Sequence, residues 1–362
     1  MPLLVLLVCA AGKQRSDREI RVLIGPVDPT VVFAGDDLKM SAPKKKILKA
    51  SQIELEPKAG KLLLKGREVG VPVKISGAGP IQVNGKSYPG VIEIVKDGDR
   101  LLLVNQVDIE DYLEGVIKNE MSVKWPVDAL KAQTVLARTY ALRKRDTPRA
   151  DSYDLAATVD DQVYSGWSDK DPASQRAIKE TEGEVLYYNG APAEVFYHSC
   201  CGGQTESAEY VWGSVSRPYL QSVKCGACEQ CPYYFWRFPD TGTVSPEELA
   251  TKLGYQGEAV DEVSISESSP SQRALKLKVS FKGGHSTEIT GADFRVRLGR
   301  DGVRSTFFRV EKDTDGFIIY GSGSGHGVGL CQWGAKGMAE SDKDYKEILE
   351  HYFPGTDIKK IY

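Results

Sequence analysis

The cysteines have the spacing most suggestive of chemistry. Of the seven in the chain, five fall between positions 200 and 231, as the pair Cys200-Cys201 and the run Cys225-x-x-Cys228-x-x-Cys231. Two residues between cysteines is typical of zinc ligands, because a short knuckle aims both sulfurs at one ion. The spacing therefore predicts a metal site, and a closed site of four ligands would be structural.

Other uses of these cysteines stay open. Five cysteines together with His198 are too many for one zinc ion, so two of these residues would be spectators or form a disulfide. In an exported protein disulfides are an alternative to the metal, and an iron–sulfur cluster or a redox dithiol is a third.

A second group of candidate residues lies on a predicted helix. The run 127–145 follows Pro126, which suits a first helical turn, and contains neither Gly nor Pro. Its apolar residues point in several directions, which predicts a buried helix. Lys131, Gln133 and Arg138 nevertheless lie within it. Because buried polar groups are costly unless paired, these three residues line a site, form internal ion pairs or reach the surface along their stems.

The composition of the chain disfavours proteins that bind nucleic acid or anionic lipid. The chain has 27% charged residues, a net charge of −3 and no Lys/Arg tract. The electrostatic footprint of a protein that binds nucleic acid or anionic lipid is therefore missing. We expect no nucleic-acid partner.

The first residues predict export. Residues 1–12 are almost wholly apolar, but a membrane span needs about 20 apolar residues. They resemble the core and small-residue end of a secretory signal without its basic start, so we assign 1–15 as a leader and expect a protein of the cell envelope, in the periplasm or the cell wall. The alternative to a cleaved leader is lipidation at Cys9, which would be the only expected attachment to a membrane. Val8, which precedes it, is larger than the residue that normally precedes a lipidated cysteine.

Short apolar runs and turn residues outline the rest of the chain. Gly-Asp, Asp-Gly and Asn-Gly pairs separate predicted strands. We predict a β-rich region 16–100, followed by a mixed region 101–362 that contains an irregular Cys-rich segment 198–236. Strands are predicted at 21–25, 31–35, 61–65, 71–76, 91–95 and 100–107, a strand pair turning at Asn189-Gly190, and helices at 127–145, 172–182, 246–253 and 345–352.

Three segments carry a resemblance to a known family. Residues 104–142 include NEMSVKWPVDALKAQTVLARTYAL, residues 153–167 read YDLAATVDDQVYSGW, and residues 321–356 begin GSGSGHGVGLCQWG. From about residue 70 to the C-terminus the chain resembles, in order and without large gaps, the family of the stage II sporulation protein D and the amidase enhancer.

The resemblance implies a peptidoglycan lytic transglycosylase. Such an enzyme cleaves the MurNAc–GlcNAc bond and leaves a 1,6-anhydro end, in sporulation members on glycans already stripped of stem peptides. The implied architecture is α+β, with a β-rich N-terminal portion and a mixed catalytic portion whose one buried central helix lies beside a glycan-binding groove. Its partners would be peptidoglycan glycan strands and a cell-wall amidase.

The family's catalytic acid corresponds to Glu120 in Asn119-Glu120-Met121, where many members have Ser in place of Asn119. Glycosidases normally use two carboxylates, but here one suffices because the C6 hydroxyl of the sugar is the nucleophile. No cofactor is needed for that step. The carboxyl must be protonated first, and the apolar Val116-Ile117 and Met121 favour a raised pKa for it.

Several residues are candidates for binding the substrate. Polar groups that stabilise the sugar oxygens in the transition state are expected among Lys131, Gln133, Arg138, His326 and Gln332. Tyr164 and Trp333 are candidates for stacking on sugar rings, with a core role as the alternative, and His326 has a structural role in a tight turn as its alternative. The glycine-rich run 321–329 matches no phosphate loop and indicates close backbone packing. Cys331 and Trp333 stand where many relatives have a small hydroxyl residue and Tyr.

The resemblance also suggests metal ligands. Some members carry a Cys before Gly-Gly and a later Cys-x-x-Cys, which match Cys201, Cys225 and Cys228. Either His198 or Cys231 would complete a tetrahedron around a structural zinc ion.

Three functions are therefore considered. The first is the transglycosylase, which the intact Glu120 favours. The second is a non-catalytic wall-binding protein that enhances a partner N-acetylmuramoyl-L-alanine amidase. The third is a zinc amidase that uses the cysteine cluster, which is disfavoured because catalytic zinc keeps an open position and has few thiolate ligands.

Overall fold

The computed structural model describes residues 16–148, 150, 152–167, 171–213 and 216–362. The predicted leader 1–15, with Cys9, lies outside the described residues. In the described residues ten strands precede the first helix, and helices and strands are mixed after it, which confirms the α+β class and the β-rich N-terminal part. Within the described ranges no helix is both long and apolar enough to cross a membrane. The chain divides into two compact units, the first formed by residues up to Glu120 with 144–169 and the second by Met121–Arg143 with Lys170–Tyr362.

The first unit is built on one large sheet. Across it the strands follow the order β11-β1-β10-β9-β6-β2-β3-β4-β5, with β7 paired to β2 and β8 to β7. The strands are β1 Glu19–Pro26, β2 Val31–Ala42, β3 Lys45–Lys58, β4 Lys61–Leu64, β5 Arg67–Glu68, β6 Val73–Ser76, β7 Ile81–Val83, β8 Lys86–Tyr88, β9 Val91–Asp97, β10 Arg100–Asp108 and β11 Leu155–Ala156. The pairing of β1 with β11 is parallel, whereas β10 pairs antiparallel with both β1 and β9 and forms a hairpin with β9.

The six strands predicted for this region are confirmed. The short strands β5, β7, β8 and β11 were not predicted, and neither was the longest strand, β3. It has 14 residues, and many of them are lysines and other polar residues. Only alternate positions such as Ile53 and Leu55 are buried. Polar residues at the exposed positions between them interrupt the apolar run by which a strand is recognised in the sequence.

A helix that the sequence did not indicate follows β10. Helix α1, Ile109–Glu120, buries Tyr112, Leu113, Val116 and Ile117 along one face. The Asp108 carboxylate accepts the N–H of Glu110 at 2.9 Å, as a capping residue does. The acidic residues that obscured the helix in the sequence occupy its first turn, where they suit the helix dipole.

The second unit contains several small sheets and most of the helices. Strand orders are β13-β12-β22, β14-β21, β15-β20-β19 and β16-β17-β18. The elements are α2 Val127–Asp146, whose last turn falls in the first unit, α3 Pro172–Glu180, β12 Glu184–Tyr188, β13 Ala191–Pro192, β14 Tyr197–His198, α4 Ala208–Trp212, β15 Phe235–Phe238, α5 Pro246–Lys252, β16 Val260–Ser268, β17 Ala274–Phe281, β18 Ser286–Thr290, α6 Gly291–Leu298, β19 Phe308–Asp313, β20 Gly316–Ser322, β21 Leu330–Cys331, α7 Gln332–Glu340, α8 Tyr345–Tyr352 and β22 Asp357–Lys360.

The predicted helices at 127–145, 172–182, 246–253 and 345–352 are confirmed as α2, α3, α5 and α8, and the turn at Asn189-Gly190 joins β12 to β13. Helices α4, α6 and α7 were not predicted. The predicted burial of α2 is confirmed, since twelve of its residues are buried.

One short pairing positions much of the second unit's chemistry. Strands β14 and β21 run parallel, with His198 opposite Cys331. This pairing brings the segment that follows His198 beside the start of α7, although more than a hundred residues separate them in the chain.

Candidate functional site

Glu120 is the last residue of α1 and is half-buried. Its Oε1 accepts the backbone N–H of Val163 at 2.9 Å. Val116 and Ile117, one turn earlier, are fully buried. The carboxylate is therefore held in one orientation at the end of a helix that the core of the first unit fixes.

The loop that carries Val163 lies along α1. The Asn119 amide donates to the Gly115 carbonyl at 2.6 Å and to Ser165 Oγ at 2.9 Å. A side chain at Gly115 would overlap the Tyr164 ring and the Gly166 carbonyl, so glycine is needed for this close approach. Together these contacts fix the loop whose N–H orients Glu120.

Tyr164 belongs to the core of the first unit. Its ring is 4% exposed, lies 4.9 Å from the ring of Tyr112, and its hydroxyl donates to Asn105 Oδ1 at 2.8 Å. Burial raises the pKa of the hydroxyl well above its usual value. This placement agrees with the core role that was the alternative to sugar stacking.

The charged residues of α2 have partners inside the second unit. Lys131 Nζ lies 2.6 Å from a Glu180 carboxylate oxygen and 3.7 Å from one of Asp128. Arg138 is fully buried, and its Nη1 donates to the Glu184 carbonyl at 3.0 Å. The structure therefore shows Lys131 and Arg138 in internal pairs, which is one of the roles that the sequence left open. Their contact with substrate stays a prediction.

We expect Arg138→Ala to lower the free energy of unfolding by about 3 kcal/mol, because it empties a packed site and leaves the Glu184 carbonyl without this donor. Urea unfolding of the purified protein measures the change. Arg176→Ala, on an arginine whose side chain is 61% exposed, is the control and should change stability by under about 0.5 kcal/mol. Equal effects of the two substitutions would contradict a structural role for Arg138.

Polar and aromatic residues of α2 and α7 meet in the second unit. Gln332 Nε2 donates to Oε1 of the fully buried Gln133 at 3.4 Å. Trp333 packs edge-on against Trp125, with ring centroids 4.9 Å apart, and the Lys336 ammonium lies 5.4 Å from the Trp333 ring. Both tryptophans are half-buried. Trp125 was not among the predicted residues, although its place in the Trp-Pro pair of the family motif could have indicated it.

His326 has a backbone partner at each ring nitrogen. Nδ1 accepts the N–H of Val328 at 3.0 Å, so the proton resides on Nε2, which donates to the Tyr197 carbonyl at 3.0 Å. Burial lowers the pKa of His326 to about 4. A side chain at Gly325 or Gly327, on either side, would overlap His198 or the Arg273 guanidinium, which confirms the close packing expected of this run. These contacts fit the structural role that was the alternative, and the predicted contact of His326 with substrate stays a prediction.

The lowered pKa of His326 predicts a loss of stability in mild acid. Between its ordinary pKa of about 6.5 and about 4, the unfolded chain binds a proton that the folded protein does not, so stability decreases as pH falls through this window. We expect His326 to contribute roughly 1–3 kcal/mol to that decrease, because its ring is only half-buried. Thermal melts of wild-type protein and His326→Gln from pH 7 to pH 4 measure it. Parallel pH profiles of the two proteins would show that the histidine does not contribute.

Four buried cysteines form the densest group of potential metal ligands in the part of the chain that the structure describes. Their Sγ atoms all lie within 4.8 Å of one another, and those of Cys201 and Cys228 are 3.5 Å apart. Tetrahedral zinc with Zn–S bonds of about 2.3 Å places sulfurs about 3.8 Å apart, so this donor set fits one ion. The group consists of Cys201, Cys225, Cys228 and Cys331.

The fourth thiol is Cys331, whereas the prediction named His198 or Cys231. His198 Nδ1 lies 3.1 Å from the Val328 carbonyl, and the pairing of β14 with β21 sets Cys331 next to the predicted ligands. Cys331 Sγ accepts the N–H groups of Cys201 at 3.2 Å and Gly334 at 3.3 Å. Such N–H donors stabilise a thiolate.

Helix α7 can approach the cluster because it contains glycine. A side chain at Gly334 would overlap Cys225 Sγ and the Tyr352 hydroxyl, and one at Gly337 would overlap the Ala227 carbonyl. Hydrogen bonds from the neighbouring cysteine thiols, that of Cys200 first among them, lower the pKa of Cys228, whereas burial raises the pKa of Cys331. The arrangement can bind a soft metal ion and has no position left for a substrate.

The fold and these sites define an α+β protein with an oriented carboxylate at a helix end in one unit and a buried group of cysteine thiols in the other. A family model described as Stage II sporulation protein matches residues 97–188, which include Glu120 and all of α2, and a model of a domain of unknown function matches residues 228–329.

Curated relatives cover most of the chain. An uncharacterized protein of Brachyspira hyodysenteriae is 38% identical over 82% of this chain and 80% of its own length. Stage II sporulation protein D of Bacillus amyloliquefaciens is 33% identical over 71% of this chain and 76% of its own. The amidase enhancer of Bacillus subtilis is 32% identical over 79% of this chain but only 46% of its own length. The chain belongs to the stage II sporulation protein D family.

Proposed function

We propose that this protein is an exported lytic transglycosylase that cleaves MurNAc–GlcNAc bonds in peptidoglycan strands already stripped of stem peptides. The observation that supports it most is Glu120, a carboxylate held by the Val163 N–H at the end of α1 within the residues that the family model matches. Membership of the family supports a role at the cell wall, and the oriented Glu120 carboxylate supports acid–base chemistry there.

The chemistry requires one group that first donates and then accepts a proton. The protonated Glu120 gives its proton to the glycosidic oxygen, and the bond from that oxygen to C1 of MurNAc breaks. The C6 hydroxyl of the same sugar attacks C1 and returns its proton to the Glu120 carboxylate. The products are a 1,6-anhydroMurNAc end and a free GlcNAc hydroxyl, and no water is consumed.

In the second unit we propose a glycan-binding groove beside α2. Trp125 and Trp333 are half-buried aromatic rings in contact with each other, a suitable surface for the apolar face of a sugar. Gln133 and Gln332 are buried and hydrogen-bond to each other, so on this proposal they hold α2 against α7 beneath that surface. Lys131 and Arg138 act mainly by holding α2 in place through their ion pair and backbone hydrogen bond.

The decisive experiment is mass spectrometry of purified glycan strands after incubation with the protein. We expect 1,6-anhydroMurNAc ends to accumulate on strands treated beforehand with an amidase. Strands that retain their stem peptides are the control and should yield far fewer ends. If neither substrate yields anhydro ends, the enzymatic proposal fails.

A second function is favoured by the likeness to the amidase enhancer of Bacillus subtilis. On this proposal the protein increases the activity of a cell-wall amidase by binding its substrate. Release of stem peptides by an amidase, with and without this protein, tests it. If Glu120→Gln still increases amidase activity in full, the increase results from binding alone. If the variant no longer increases it, the increase depends on glycan cleavage.

We further propose that Cys201, Cys225, Cys228 and Cys331 hold a structural zinc ion. Thiolates are soft ligands that suit zinc, and four of them complete its tetrahedron. A catalytic zinc needs an open position, so the geometry gives no support to the zinc amidase considered above.

A further inference from the structure

The second unit contains a cavity of about 520 Å³ that is lined by residues of α4, α6 and β17. Sites for small ligands in proteins have volumes of about 300–1,000 Å³. Cationic, acidic and aromatic side chains all contribute to its wall, among them Tyr210, Arg295, Arg300 and His326. The cavity is therefore large enough for a sugar unit that carries a charged group.

Two arginines of this cavity have no acidic partner. Arg295 Nε donates to the Val303 carbonyl at 3.1 Å, and within the part of the chain that the structure describes no ion pair involves Arg295 or Arg300. Burial first, and then the charges of Arg300 and Arg273, lower the pKa of Arg295 to about 10. Because neighbouring positive charges repel each other, such a group favours the binding of an anion.

The acidic residues of the same cavity have partners of their own. The buried Glu206 carboxylate accepts two serine hydroxyls and a backbone N–H. Glu267 forms an ion pair with Lys276 at 2.8 Å, and Glu209 accepts a glutamine amide at 3.4 Å. The guanidinium groups of the two arginines are therefore the charged groups that remain for a ligand.

Aromatic rings border this cavity as well. Tyr210 lines it and is 39% exposed. Trp212, two residues further along α4, is 46% exposed, and its ring centroid lies 5.1 Å from that of His326 in the cavity wall. Exposed aromatic rings can pack against the apolar face of a sugar, whereas guanidinium groups bind an acidic substituent. The cavity thus has the groups that an acidic sugar requires.

We infer that this cavity binds the free lactyl carboxylate of MurNAc, with Arg295 and Arg300 as the residues that recognise it. Hydrolysis of the amide bond between MurNAc and its stem peptide leaves such a carboxylate, whereas an intact strand has a neutral amide in its place. A guanidinium group binds a carboxylate through two parallel N–H donors. This role rests on the proposed function, and it gives a physical reason for the preference for strands stripped of stem peptides.

Binding of matched oligosaccharides tests this role without requiring cleavage. The three ligands are a stripped MurNAc–GlcNAc tetrasaccharide, the same tetrasaccharide with its stem peptides, and a GlcNAc tetrasaccharide, which has no carboxylate. Calorimetry with Glu120→Gln measures the Kd of each ligand while the ligand stays intact. We expect the stripped tetrasaccharide to bind about 10-fold more tightly than either of the others, because only its lactyl carboxylate gains the charge-assisted hydrogen bonds.

Substitution of the two arginines locates the preference. Arg300→Ala removes an exposed side chain, so it should abolish most of the preference and leave binding of the GlcNAc tetrasaccharide unchanged. Arg295→Lys retains the charge and loses the planar fork, so it should reduce the preference. Arg309→Ala, which removes a side chain that is 67% exposed and lies outside this cavity, is the matched control and should retain the preference in full.

Equal binding of the three ligands, or a preference that Arg300→Ala and Arg295→Lys both retain, would overturn the inference. Tighter binding of the tetrasaccharide with stem peptides would overturn it too, because the cavity would then bind a carboxylate of the peptide. Anhydro ends released by the wild-type protein separate this failure from that of the proposed reaction. Ends without a binding preference leave the reaction intact, whereas a preference without ends leaves the recognition of the carboxylate intact.

Discussion

Glu120→Gln should reduce the release of 1,6-anhydroMurNAc ends by at least about 100-fold while the protein stays folded. General acid–base catalysis by a positioned side chain contributes about 10²–10⁴ in rate, and an amide cannot donate the required proton. The amide oxygen can still accept the N–H of Val163, which Glu120 Oε1 now accepts at 2.9 Å. The measurement is the initial rate of anhydro-end formation, with the melting temperature recorded alongside.

Glu340→Gln is a suitable control. Glu340 ends α7 as Glu120 ends α1, and it forms an ion pair with Lys336 at 2.7 Å. Because the Glu340 side chain is 38% exposed and its partner lies one helical turn away, its loss should cost under about 1 kcal/mol and leave the rate unchanged. A Glu120→Gln protein that releases anhydro ends at the wild-type rate would remove Glu120 from the mechanism. A variant that melts well below wild type would need Glu120→Asp as a second test, because the shorter acid keeps the proton but retracts it from the substrate.

The long elements could be predicted because their pattern is local. Helix α2 has no Gly or Pro over its 20 residues, and the strands of the first unit are separated by turn pairs, so neither requires knowledge of distant contacts. Helix α1 was missed because its acidic first turn and a mean hydropathy near zero hide a buried face of only six residues. That omission left Glu120 identified by its motif but without the helix that positions it.

The partners of the polar residues could not be predicted. The sequence indicates that Lys131 and Arg138 are expensive to bury, but their partners Glu180 and Glu184 lie on elements that only the fold brings to α2. The same limit applies to Tyr164, whose hydroxyl partner Asn105 is on β10. The residue type shows which buried polar side chains need a partner, whereas the tertiary structure determines which group that partner is.

The cysteine cluster shows the limit most clearly. Spacing identifies ligands that are close in the chain and predicted a metal site among the five clustered cysteines, and the family resemblance then selected Cys201, Cys225 and Cys228. Cys331 lies 130 residues after Cys201, and only the parallel pairing of β14 with β21 brings it to the group. Its position beside a glycine-rich run indicated close packing, but spacing alone gives no reason to join it to a cluster so far away.

The second large effect is expected when the metal is removed. If zinc joins the Cys201 and Cys225–Cys228 segments to the start of α7, the free energy of metal binding is part of the folding free energy of this region. Cys228→Ser removes a ligand whose Sγ lies within 4.8 Å of every other sulfur of the four-thiol group. We expect it to lose bound zinc and more than about 4 kcal/mol of stability, which for a unit of this size lowers the melting temperature by roughly 10 °C.

A chelator should cause the same loss of stability, whereas a reductant should not. This difference distinguishes a zinc site from disulfides. Prolonged treatment with a strong chelator should lower the melting temperature of the wild-type protein toward that of Cys228→Ser, and added zinc should restore it. A reductant without a chelator should have no effect, since thiolates bound to zinc are already reduced. Cys9→Ser should respond to both treatments as the wild type does.

The opposite pattern, indifference to chelator with a lower melting temperature in reductant, would mean that the cysteines stabilise this region as disulfides. Chelated protein should also retain some glycan cleavage as long as it remains folded, because the proton transfer by Glu120 requires no metal.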